Sequence, residues 1–462
     1  MRRFFCFFLV VLCADYVFAF STRSLEETLQ SDVYKHVDVA VSLKDLDKDN
    51  YIFSVRDDSD FIPASLTKLL LTGTCLEYLS TSFRFKTKVY LDKESLPTLY
   101  VKGVGDPNQT LEQFHLIAQA LLKKNVRRLK SIVLDSSMIQ LDANRYGNSA
   151  RYYYALGGAF NFNYNQVQLL VHAEDKQLQV SPQTNFVELD VRSLQFLSPD
   201  ERGFPSISLQ QRPSYDKYII RGKVSKQDEA YTNLQLRVSR PTHFYASMLK
   251  QVLLDHDIKV LEPLHFDSFL TRKKKRLLTL TSLPLSNYLE EMNQKSSNII
   301  ASIILKILGR LEYGDPGTHR KGLRLMKQFL EDKLDLESSQ FTLQDGSGLS
   351  HHNRLTANHM NQFLDYFHQK YPELVKTMFV DVREEADYDS IELPDRYHVY
   401  VKSGTLSNLG VNNLAGYILD SITESVYSFV ILTKNDGTKK PAYKGTLSNP
   451  LLQQLINITI AN

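Results

Sequence analysis

The sequence predicts an α+β protein in which helices flank an antiparallel sheet and a long insertion carries a smaller, nested β domain. Two observations predict this class. Short alternating apolar runs separated by turn residues lie near both ends of the 462-residue chain, as in antiparallel sheets. Between residues 85 and 275 the pattern changes to mixed strands and helices, and residues 169–238 are rich in strands.

The N-terminus has the pattern of a cleaved secretory signal. Met1–Arg3 is basic, Phe4–Leu12 is apolar, and Ala19 is the small residue expected before a cut. An uncleaved anchor is the alternative, but Asp15 interrupts the apolar run well short of the roughly 20 residues that a membrane span needs. We therefore expect residues 1–19 to be removed on secretion, leaving no transmembrane anchor.

Charge and cysteine content narrow the function classes. The net charge is +3, tryptophan is absent and no nucleic-acid motif accompanies the basic run Arg272–Arg276, so we exclude nucleic acid as a partner. That run could contact an anionic wall polymer or a membrane, although such runs usually form a solvated surface. Because Cys6 and Cys13 leave with the signal, Cys75 stands alone in an apolar run and predicts a core residue rather than a disulfide.

Elements near the two ends follow from their local patterns. His36–Leu43 and Tyr51–Val55 flank a turn-rich cluster and predict a hairpin. Ser65–Leu79 has apolar residues at helical spacing, which predicts a buried helix that begins at Ser65. Near the C-terminus, three alternating runs predict an antiparallel meander, which we expect the hairpin to extend into one sheet: Tyr397–Lys402, Val411–Leu419 and Ser425–Thr433. A last amphipathic helix is predicted from Pro450.

The insertion has strands and helices of its own. They are predicted at Phe85–Leu91, Thr98–Val101, Leu111–Lys123, Ser131–Leu134 and Pro241–Leu254. The predicted division of the chain is a main domain at 20–84 and 276–462, an inserted domain at 85–170 and 239–275, and a nested β domain at 171–238.

One short string has the spacing of a serine nucleophile and its base. Ser65 and Lys68 are one helical turn apart, so burial could keep the lysine amine neutral and let it take the serine proton. A helix that starts at the serine also aims backbone N–H groups at a developing oxyanion. Ser214–Lys217 and Ser247–Lys250 have the same spacing without a buried helix start. A capped helix with a surface lysine is the structural alternative.

Two further strings offer partners for such a nucleophile. Polar residues interrupt a helical pattern at 295–298, where Ser296 and Asn298 could relay a proton and hold a substrate amide. A polar corner between helices is the alternative. Lys402–Gly404 lies at a strand edge, where a lysine, a hydroxyl and a glycine would let a peptide approach closely as an added strand. An ordinary strand followed by a turn is the alternative.

Together these strings resemble the class C low-molecular-mass penicillin-binding proteins, a branch of the penicillin-recognising serine transferases. The strings that narrow the resemblance are Val101–Pro107, Ser286–Asn298, Asp345–Ser350, Lys402–Gly404 and Asn413–Gly416. The long gap between Ser65 and Ser296 also matches, since those enzymes fill it with two extra domains. The resemblance implies a penicillin-recognising transpeptidase-like fold and a serine D-Ala-D-Ala carboxypeptidase, also an endopeptidase, that acts on peptidoglycan stem peptides in the periplasm or cell envelope.

The resemblance implies a role for each matched residue. Ser65 would be acylated with Lys68 as base, while Ser296 and Asn298 would serve proton transfer and substrate positioning. The residues implied to bind substrate are Lys402 and Ser403 at the terminal carboxylate, the Thr405 amide at the oxyanion, and Leu406, Tyr153, Asn148 and His351 around the peptide. No metal or cofactor is implied, and β-lactam antibiotics would be covalent inhibitors.

Three positions depart from the usual pattern of these enzymes. Ser403 stands where threonine is usual, which keeps the hydroxyl. Relatives that accept diaminopimelate place an acid and an arginine where this chain has Asn148 and His351. We therefore expect weaker selectivity for a zwitterionic side-chain end, or a preference for an amidated one.

Two other functions compete with a carboxypeptidase. A serine β-lactamase would need fast deacylation, but the Glu-x-x-Leu-Asn string of one lactamase class is absent. The Tyr-x-Asn second motif of another lactamase class is replaced here by Ser296-Ser297-Asn298. A catalytically inactive wall-binding scaffold is the second alternative. The presence of every matched catalytic hydroxyl and amine argues against it.

Overall fold

The structure is a computed structural model that describes residues 22–172, 176–197, 205–224, 233–435 and 445–461. The expected signal segment, with its cleavage site, Cys6 and Cys13, lies outside these residues. Among the described residues no helix is both long and apolar enough to cross a membrane.

Strands form five sheets in the described residues. In chain order they are β1 Val37–Asp45, β2 Asn50–Val55, β3 Arg84–Leu91, β4 Leu99–Lys102, β5 Arg128–Leu129, β6 Ile132–Asp135, β7 Gln166–His172, β8 Gln177–Ser181, β9 Val187–Phe196, β10 Pro205–Gln211, β11 Asp216–Val224, β12 Asn233–Arg237, β13 Lys259–Val260, β14 Lys275–Pro284, β15 Val380–Asp381, β16 Tyr397–Leu406, β17 Val411–Asp420 and β18 Val426–Asn435.

Helices alternate with these strands, and residues 22–29 form a further helical segment. The labelled α-helices are α1 Thr67–Tyr78, α2 Leu111–Leu122, α3 Pro241–Asp255, α4 Leu285–Gln294, α5 Asn298–Tyr313, α6 His319–Leu334, α7 Ala357–Lys370, α8 Val375–Met378 and α9 Ser448–Ala461.

The chain divides into two compact units. Within the described residues, the first unit ends its N-terminal segment at Glu77, includes Leu289–Ser296 and resumes at Leu323, while the second consists of Tyr78–Tyr288 and Ser297–Gly322. The units therefore change over at 77 and 288, whereas the predicted domain boundaries lie at 84 and 275. The separate nested domain at 171–238 stays a prediction.

The first unit is built on a six-stranded antiparallel sheet in the order β15-β16-β17-β18-β1-β2. The N-terminal hairpin extends the C-terminal meander because β1 pairs with β18 along its whole length, from Val37 opposite Asn435 to Asp45 opposite Tyr427. The expected antiparallel sheet with flanking helices is confirmed.

Alternation along β1 gives that sheet two buried faces. Val41 and Leu43 pack on one face in a core that includes Leu455 of α9. Between them, Ser42 points to the other face and its hydroxyl accepts a hydrogen bond from Asn361 of α7 at 2.5 Å. Each fully buried large aliphatic side chain contributes roughly 1.5–3 kcal/mol to stability. A shift of β1 by one residue would turn Val41 and Leu43 to the other face and lose this burial, so packing on both faces fixes the register of the sheet.

The second unit contains the sheet β14-β3-β4-β6, the short pair β13-β5 and two three-stranded sheets, β10-β11-β9 and β12-β7-β8. Helices α2 and α3 contribute fully buried aromatic residues, and Phe114 meets Tyr245 with ring centroids 4.8 Å apart. Strand β7 begins at Gln166, so the strand-rich region starts slightly before the predicted residue 169.

Candidate active site

Ser65 lies in a tight turn before α1. The 3₁₀ turn Ala64–Leu66 precedes the α-helix, which begins at Thr67, so the expectation that the helix begins at Ser65 is corrected by two residues. Ala64 has φ +48°, a left-handed conformation that is unfavourable for a residue with a Cβ. The neighbouring structure holds this strained turn, which leaves Ser65 half-buried in an otherwise buried segment.

Lys68 faces Ser65 from the first turn of α1. Its side chain is fully buried, and Nζ lies 2.9 Å from Ser65 Oγ and 2.6 Å from the carbonyl oxygen of Ser347. Burial lowers the pKa of Lys68 to about 7, although the negative charge of Asp345 opposes this shift. A substantial fraction of this amine is therefore neutral near pH 7 and able to accept a proton.

The loop Asp345–Ser350 presents the Ser347 carbonyl to Lys68. The Asp345 carboxylate accepts hydrogen bonds from the backbone N–H groups of Ser347 at 3.1 Å, Gly348 at 2.6 Å and Ser350 at 2.7 Å. Gly348 has φ +85°, and a Cβ built there would lie 1.8 Å from the Ala64 oxygen. Only glycine fits this position.

Asp345–Ser350 is one of the strings that carry the family resemblance, but its sequence predicts no role for this loop at the site. The aspartate and two glycines were the available signal, since they are typical of a tight loop stabilised by its own side chain. What the sequence did not reveal is that Ser347 meets Lys68, because the two residues are far apart along the chain.

Lys402 and Ser296 form a second contact in the first unit. Lys402 is 2% exposed, and its Nζ donates to Ser296 Oγ at 3.2 Å and to the Ser403 carbonyl at 3.0 Å. Ser296 has φ +54° and lies in the break between α4 and α5, as the polar interruption predicted. Asn293, at the end of α4, donates to the Thr72 hydroxyl of α1 at 2.8 Å and so holds this break beside α1.

Ser297, which lies between Ser296 and Asn298, has a structural role. Its side chain caps α5 by accepting a hydrogen bond from the Ile300 N–H at 3.5 Å. An N-cap of this kind fixes the start of a helix. Asn298 is therefore the first residue of α5.

The edge of β16 runs past the turn that carries Ser65. A Cβ on Gly404 would lie 2.7 Å from the Pro63 oxygen and 3.2 Å from the Ser65 nitrogen, so the two backbones approach closely there. Short strand β15 pairs with β16 at Tyr400 and Val401, before the half-buried residues Ser403 and Thr405.

Two side chains support this approach from the neighbouring elements. Asn413 on β17 donates to the Ile62 carbonyl at 2.8 Å, which ties the sheet to the turn before Ser65. Leu406, the last residue of β16, packs against the small cluster of Ile62, Ala64 and Val411. Leu406 thus lies beside the turn that carries Ser65.

In the second unit, Asn298 contacts the segment that carries Tyr153. Its Nδ2 donates to the Tyr153 carbonyl at 3.1 Å. The Tyr153 hydroxyl accepts from Arg151 at 2.5 Å, and the guanidinium lies 5.8 Å from the centre of the Tyr153 ring. Asn148 is exposed, and its carbonyl accepts from the Leu209 N–H at 2.8 Å.

The two ends of segment 143–156 are held together by a buried ion pair. Asp142 and Gly157 exchange hydrogen bonds, from the Asp142 N–H to the Gly157 carbonyl at 3.0 Å and from the Gly157 N–H to Asp142 Oδ2 at 2.7 Å. Lys306 of α5 donates to Asp142 Oδ1 at 2.7 Å and to the Gly157 carbonyl at 2.8 Å. Burial would raise the pKa of Asp142, but Lys306 and His319 hold it below its usual range.

His351 lies in the first unit and is exposed. Its carbonyl accepts a hydrogen bond from Arg354 at 2.7 Å. The structure thus brings Ser65 together with Lys68, and Lys402 with Ser296, while Asn298 and Tyr153 meet in the second unit. Within the described ranges, no cluster of three histidine, cysteine or acidic side chains could hold a metal ion.

The family model described as D-Ala-D-Ala carboxypeptidase 3 (S13) matches residues 21–449. The chain belongs to this family. The predicted resemblance is confirmed, as is the expectation of a serine-type D-Ala-D-Ala carboxypeptidase with a penicillin-recognising fold.

Individual relatives agree with the family match. The chain is 22% identical to D-alanyl-D-alanine carboxypeptidase DacB of Haemophilus influenzae over 400 residues, which covers 82% of this chain and 81% of that protein. It is 24% identical over 421 residues to a D-alanyl-D-alanine carboxypeptidase of Actinomadura, covering 85% of this chain and 76% of that protein.

A solved structure shows the same fold. Penicillin binding protein 4 of Haemophilus influenzae superposes with a TM-score of 0.77 at 20% identity, over 94% of this chain and 98% of that one. The same Haemophilus protein has also been solved in complex with a β-lactam.

Proposed function

We propose that this S13 enzyme hydrolyses D-Ala-D-Ala peptides through an acyl-enzyme on Ser65, with Lys68 as the base. The observation that carries this proposal is the 2.9 Å contact between Ser65 Oγ and a fully buried amine whose pKa is about 7. A serine hydroxyl is a weak nucleophile until a base takes its proton. Neutral Lys68 accepts that proton as Oγ attacks the carbonyl of the penultimate D-Ala.

Backbone N–H groups stabilise the oxyanion that forms in this step. The amides of Ser65 and Thr405 are the proposed donors, and the close approach of Gly404 to the Ser65 nitrogen supports this pairing. The turn also leads into the N-terminus of α1, whose helix dipole favours negative charge.

Lys402 supplies the positive charge for the terminal carboxylate. A buried lysine beside two hydroxyl-bearing residues, Ser296 and Ser403, is suited to bind this group and to exclude ligands without it. Ser296 returns the proton from Lys68 to the amine of the departing D-Ala. Water then attacks the acyl-enzyme with Lys68 again as base, which releases the shortened peptide and free Ser65.

The substrate peptide lies along β16 as an added strand. Residues 403–406 continue β16 beyond its pairing with β15, so their edge is the one that a peptide would extend. Asn298 holds a substrate amide, and its hydrogen bond to the Tyr153 carbonyl fixes the plane of its own amide group. Leu406 supports the peptide from below.

Asn148, Tyr153 and His351 are the residues that the resemblance implies for the stem-peptide side chain, and we propose that they set its preference. Asn148 and His351 are exposed. They stand where relatives that accept diaminopimelate have an acid and an arginine, so this chain has no carboxylate or guanidinium at these two positions. We expect comparable kcat/KM for peptides with free and amidated diaminopimelate, or a preference for the amidated form. A strong preference for free diaminopimelate would contradict this part of the proposal.

The cell envelope is the proposed location, with the periplasm as the expected compartment and peptidoglycan stem peptides as substrates. The family match and the sequence pattern at residues 1–19 support it. Hydrolysis of cross-links uses the same chemistry, so endopeptidase activity is proposed alongside terminal D-Ala removal. β-Lactams would acylate Ser65 as covalent inhibitors.

A labelled penicillin tests the proposal against its two alternatives. We expect a stable covalent adduct with the wild type, assigned to Ser65 by peptide mass spectrometry, and none with Ser65→Ala. Rapid turnover of the penicillin would indicate a β-lactamase, and the absence of any adduct would indicate a scaffold. Chromatography of digested muropeptides then measures carboxypeptidase against endopeptidase activity.

A further inference from the structure

One strand of the second unit carries a row of cations on its exposed side. Along β3, Arg84, Lys86 and Lys88 are exposed, whereas the alternate residues Phe85 and Thr87 are buried. Since successive side chains of a strand point to opposite faces, the three cations share one face of the sheet.

The basic run noted in the sequence continues this face on the next strand. In the antiparallel pairing of β14 with β3, Thr281 lies opposite Lys86, Thr279 opposite Lys88 and Arg276 opposite Tyr90. Residues directly opposite each other share a face, so Arg276 lies on the side that carries Lys86 and Lys88. Two basic segments nearly 190 residues apart in the chain thus meet on one surface.

Aromatic contacts fix the loop before β14 onto the same face. Phe269 packs between Tyr90 and Tyr100, with ring centroids 5.9 and 5.1 Å away. Lys274 Nζ lies 3.4 Å from the centre of the Tyr100 ring. The run Arg272–Arg276 is therefore anchored to the sheet at its middle residue.

Most of these charges have no acidic neighbour. Lys102 on β4, opposite Lys88, pairs with Asp135 at 2.7 Å. In the part of the chain that the structure describes, no carboxylate lies within ion-pair distance of Lys86, Lys88 or Arg276. Like charges on neighbouring strands repel, and a bound anion would remove that cost.

Two strongly exposed leucines accompany the cations. Leu283 is 58% exposed near the end of β14, where the pairing with β3 shifts in register. Leu270 is 63% exposed and stands between Phe269 and the basic run. A soluble polyanion offers nothing to these leucines, whereas a lipid surface takes up both apolar side chains and cations.

We propose that this basic face, defined by Arg84, Lys86, Lys88 and Arg276, binds the surface of an anionic lipid bilayer. The cations contact lipid phosphates, and Leu270 and Leu283 enter the boundary between headgroups and acyl chains. The binding is peripheral and reversible, and it is independent of the acylation of Ser65.

Vesicle sedimentation tests this proposal on the purified protein. We expect binding to phosphatidylcholine vesicles with about one third phosphatidylglycerol to exceed binding to pure phosphatidylcholine by at least about tenfold. This difference should largely vanish at about 0.5 M salt, where surface charges are screened. The variant Lys86→Gln/Lys88→Gln should lower binding to anionic vesicles by about tenfold.

A matched variant controls for net charge. Lys123→Gln/Lys124→Gln removes two exposed lysines that follow α2, outside the basic face, and should leave vesicle binding unchanged. An equal loss in both variants would overturn the proposal. Thermal unfolding and penicillin labelling of Ser65 should match the wild type in both, which separates this result from a failure of the proposed function.

The leucines distinguish a bilayer from a soluble polyanion. Leu270→Ser/Leu283→Ser should weaken binding to anionic vesicles while leaving retention on a heparin column unchanged. Heparin binding without vesicle binding would contradict the bilayer and assign the face to a soluble acidic polymer. Vesicle binding that is insensitive to both leucine substitutions would also contradict the proposed insertion.

Discussion

Lys68 and Lys306, one in each unit, are both buried lysines in the described residues, yet their surroundings differ in kind. Lys68 is 0% exposed and Lys306 is 1% exposed. Lys68 Nζ contacts the Ser65 hydroxyl and a backbone carbonyl, whereas Lys306 Nζ lies 2.7 Å from the Asp142 carboxylate. Burial lowers the pKa of both amines, and Asp142 opposes that shift directly for Lys306.

The difference shows that the partner of a buried lysine decides its role. A carboxylate in contact keeps the amine charged and makes it a structural cation. Lys68, which contacts a hydroxyl and a carbonyl, has a pKa that burial lowers to about 7, which suits the base that we propose. Lys68 and Lys306 should therefore respond to the same substitution in opposite ways.

Replacing Lys68 should give the largest effect on activity. In Lys68→Met the base is absent, so kcat/KM for a D-Ala-D-Ala peptide should fall by at least about 10³-fold. The thermal unfolding midpoint should change by only a few degrees. Peptide kinetics and penicillin labelling measure the first effect, and differential scanning calorimetry the second. Activity within about tenfold of the wild type would show that Lys68 is not the base.

Replacing Lys306 should instead reduce stability. Lys306→Met removes the nearest cation from the largely buried Asp142 carboxylate and leaves it with His319 at 3.0 Å, so the free energy of unfolding should fall by up to about 3–5 kcal/mol. Urea denaturation followed by circular dichroism measures this loss. Lys306→Met/Asp142→Leu should recover more than half of it, because both charges are then gone. A single variant as stable as the wild type would contradict the structural role.

Gly348 tests whether the Ser347 carbonyl matters to Lys68. In Gly348→Ala the new Cβ would meet the Ala64 oxygen at 1.8 Å, so the loop must move away from Ser65 and Lys68. We expect kcat/KM to fall by about 10²-fold. Gly314→Ala is the matched control, since Gly314 also has a positive φ of +76° but no atom near its Cβ position. An equal loss of kcat/KM in both variants would show that backbone strain alone causes the effect, and that the Ser347 carbonyl is not involved.

Replacing Asp345 should have the smallest effect on activity, and its direction follows from the charge that is removed. Its negative charge favours the protonated form of Lys68, so Asp345→Asn should lower the pKa of Lys68 further. The acid limb of the pH–rate profile for penicillin acylation should then shift to lower pH, by up to about one unit. Asparagine keeps one oxygen for the loop N–H groups. A shift to higher pH would contradict the electrostatic role of Asp345.

Local patterns in the sequence predicted most of what is local in the structure. The β1–β2 hairpin, the meander β16–β18 and the break at Ser296 follow from alternation and turn residues near each other in the chain. The contact of Ser65 with Lys68 follows from helical spacing. The start of α1 differs from the prediction because a 3₁₀ turn, which is frequent at the N-terminus of an α-helix, precedes it.

Contacts between distant segments could not be predicted in this way. Ser347 reaches Lys68, Lys306 reaches Asp142, and the cations of β3 meet those of β14 only because the fold brings them together. Strand register and loop packing depend on the whole core, and no periodicity in a single segment encodes them.

The pH dependence of Ser65 acylation tests the central claim most directly. The second-order rate constant for a labelled penicillin should fall about tenfold per pH unit below a midpoint near pH 7 and be level above it, because only neutral Lys68 accepts the serine proton. Thermal stability across the same pH range serves as the control for unfolding. A rate that is constant from pH 5 to 9, or a midpoint near the ordinary lysine pKa of about 10.4, would contradict the assignment of Lys68 as the base.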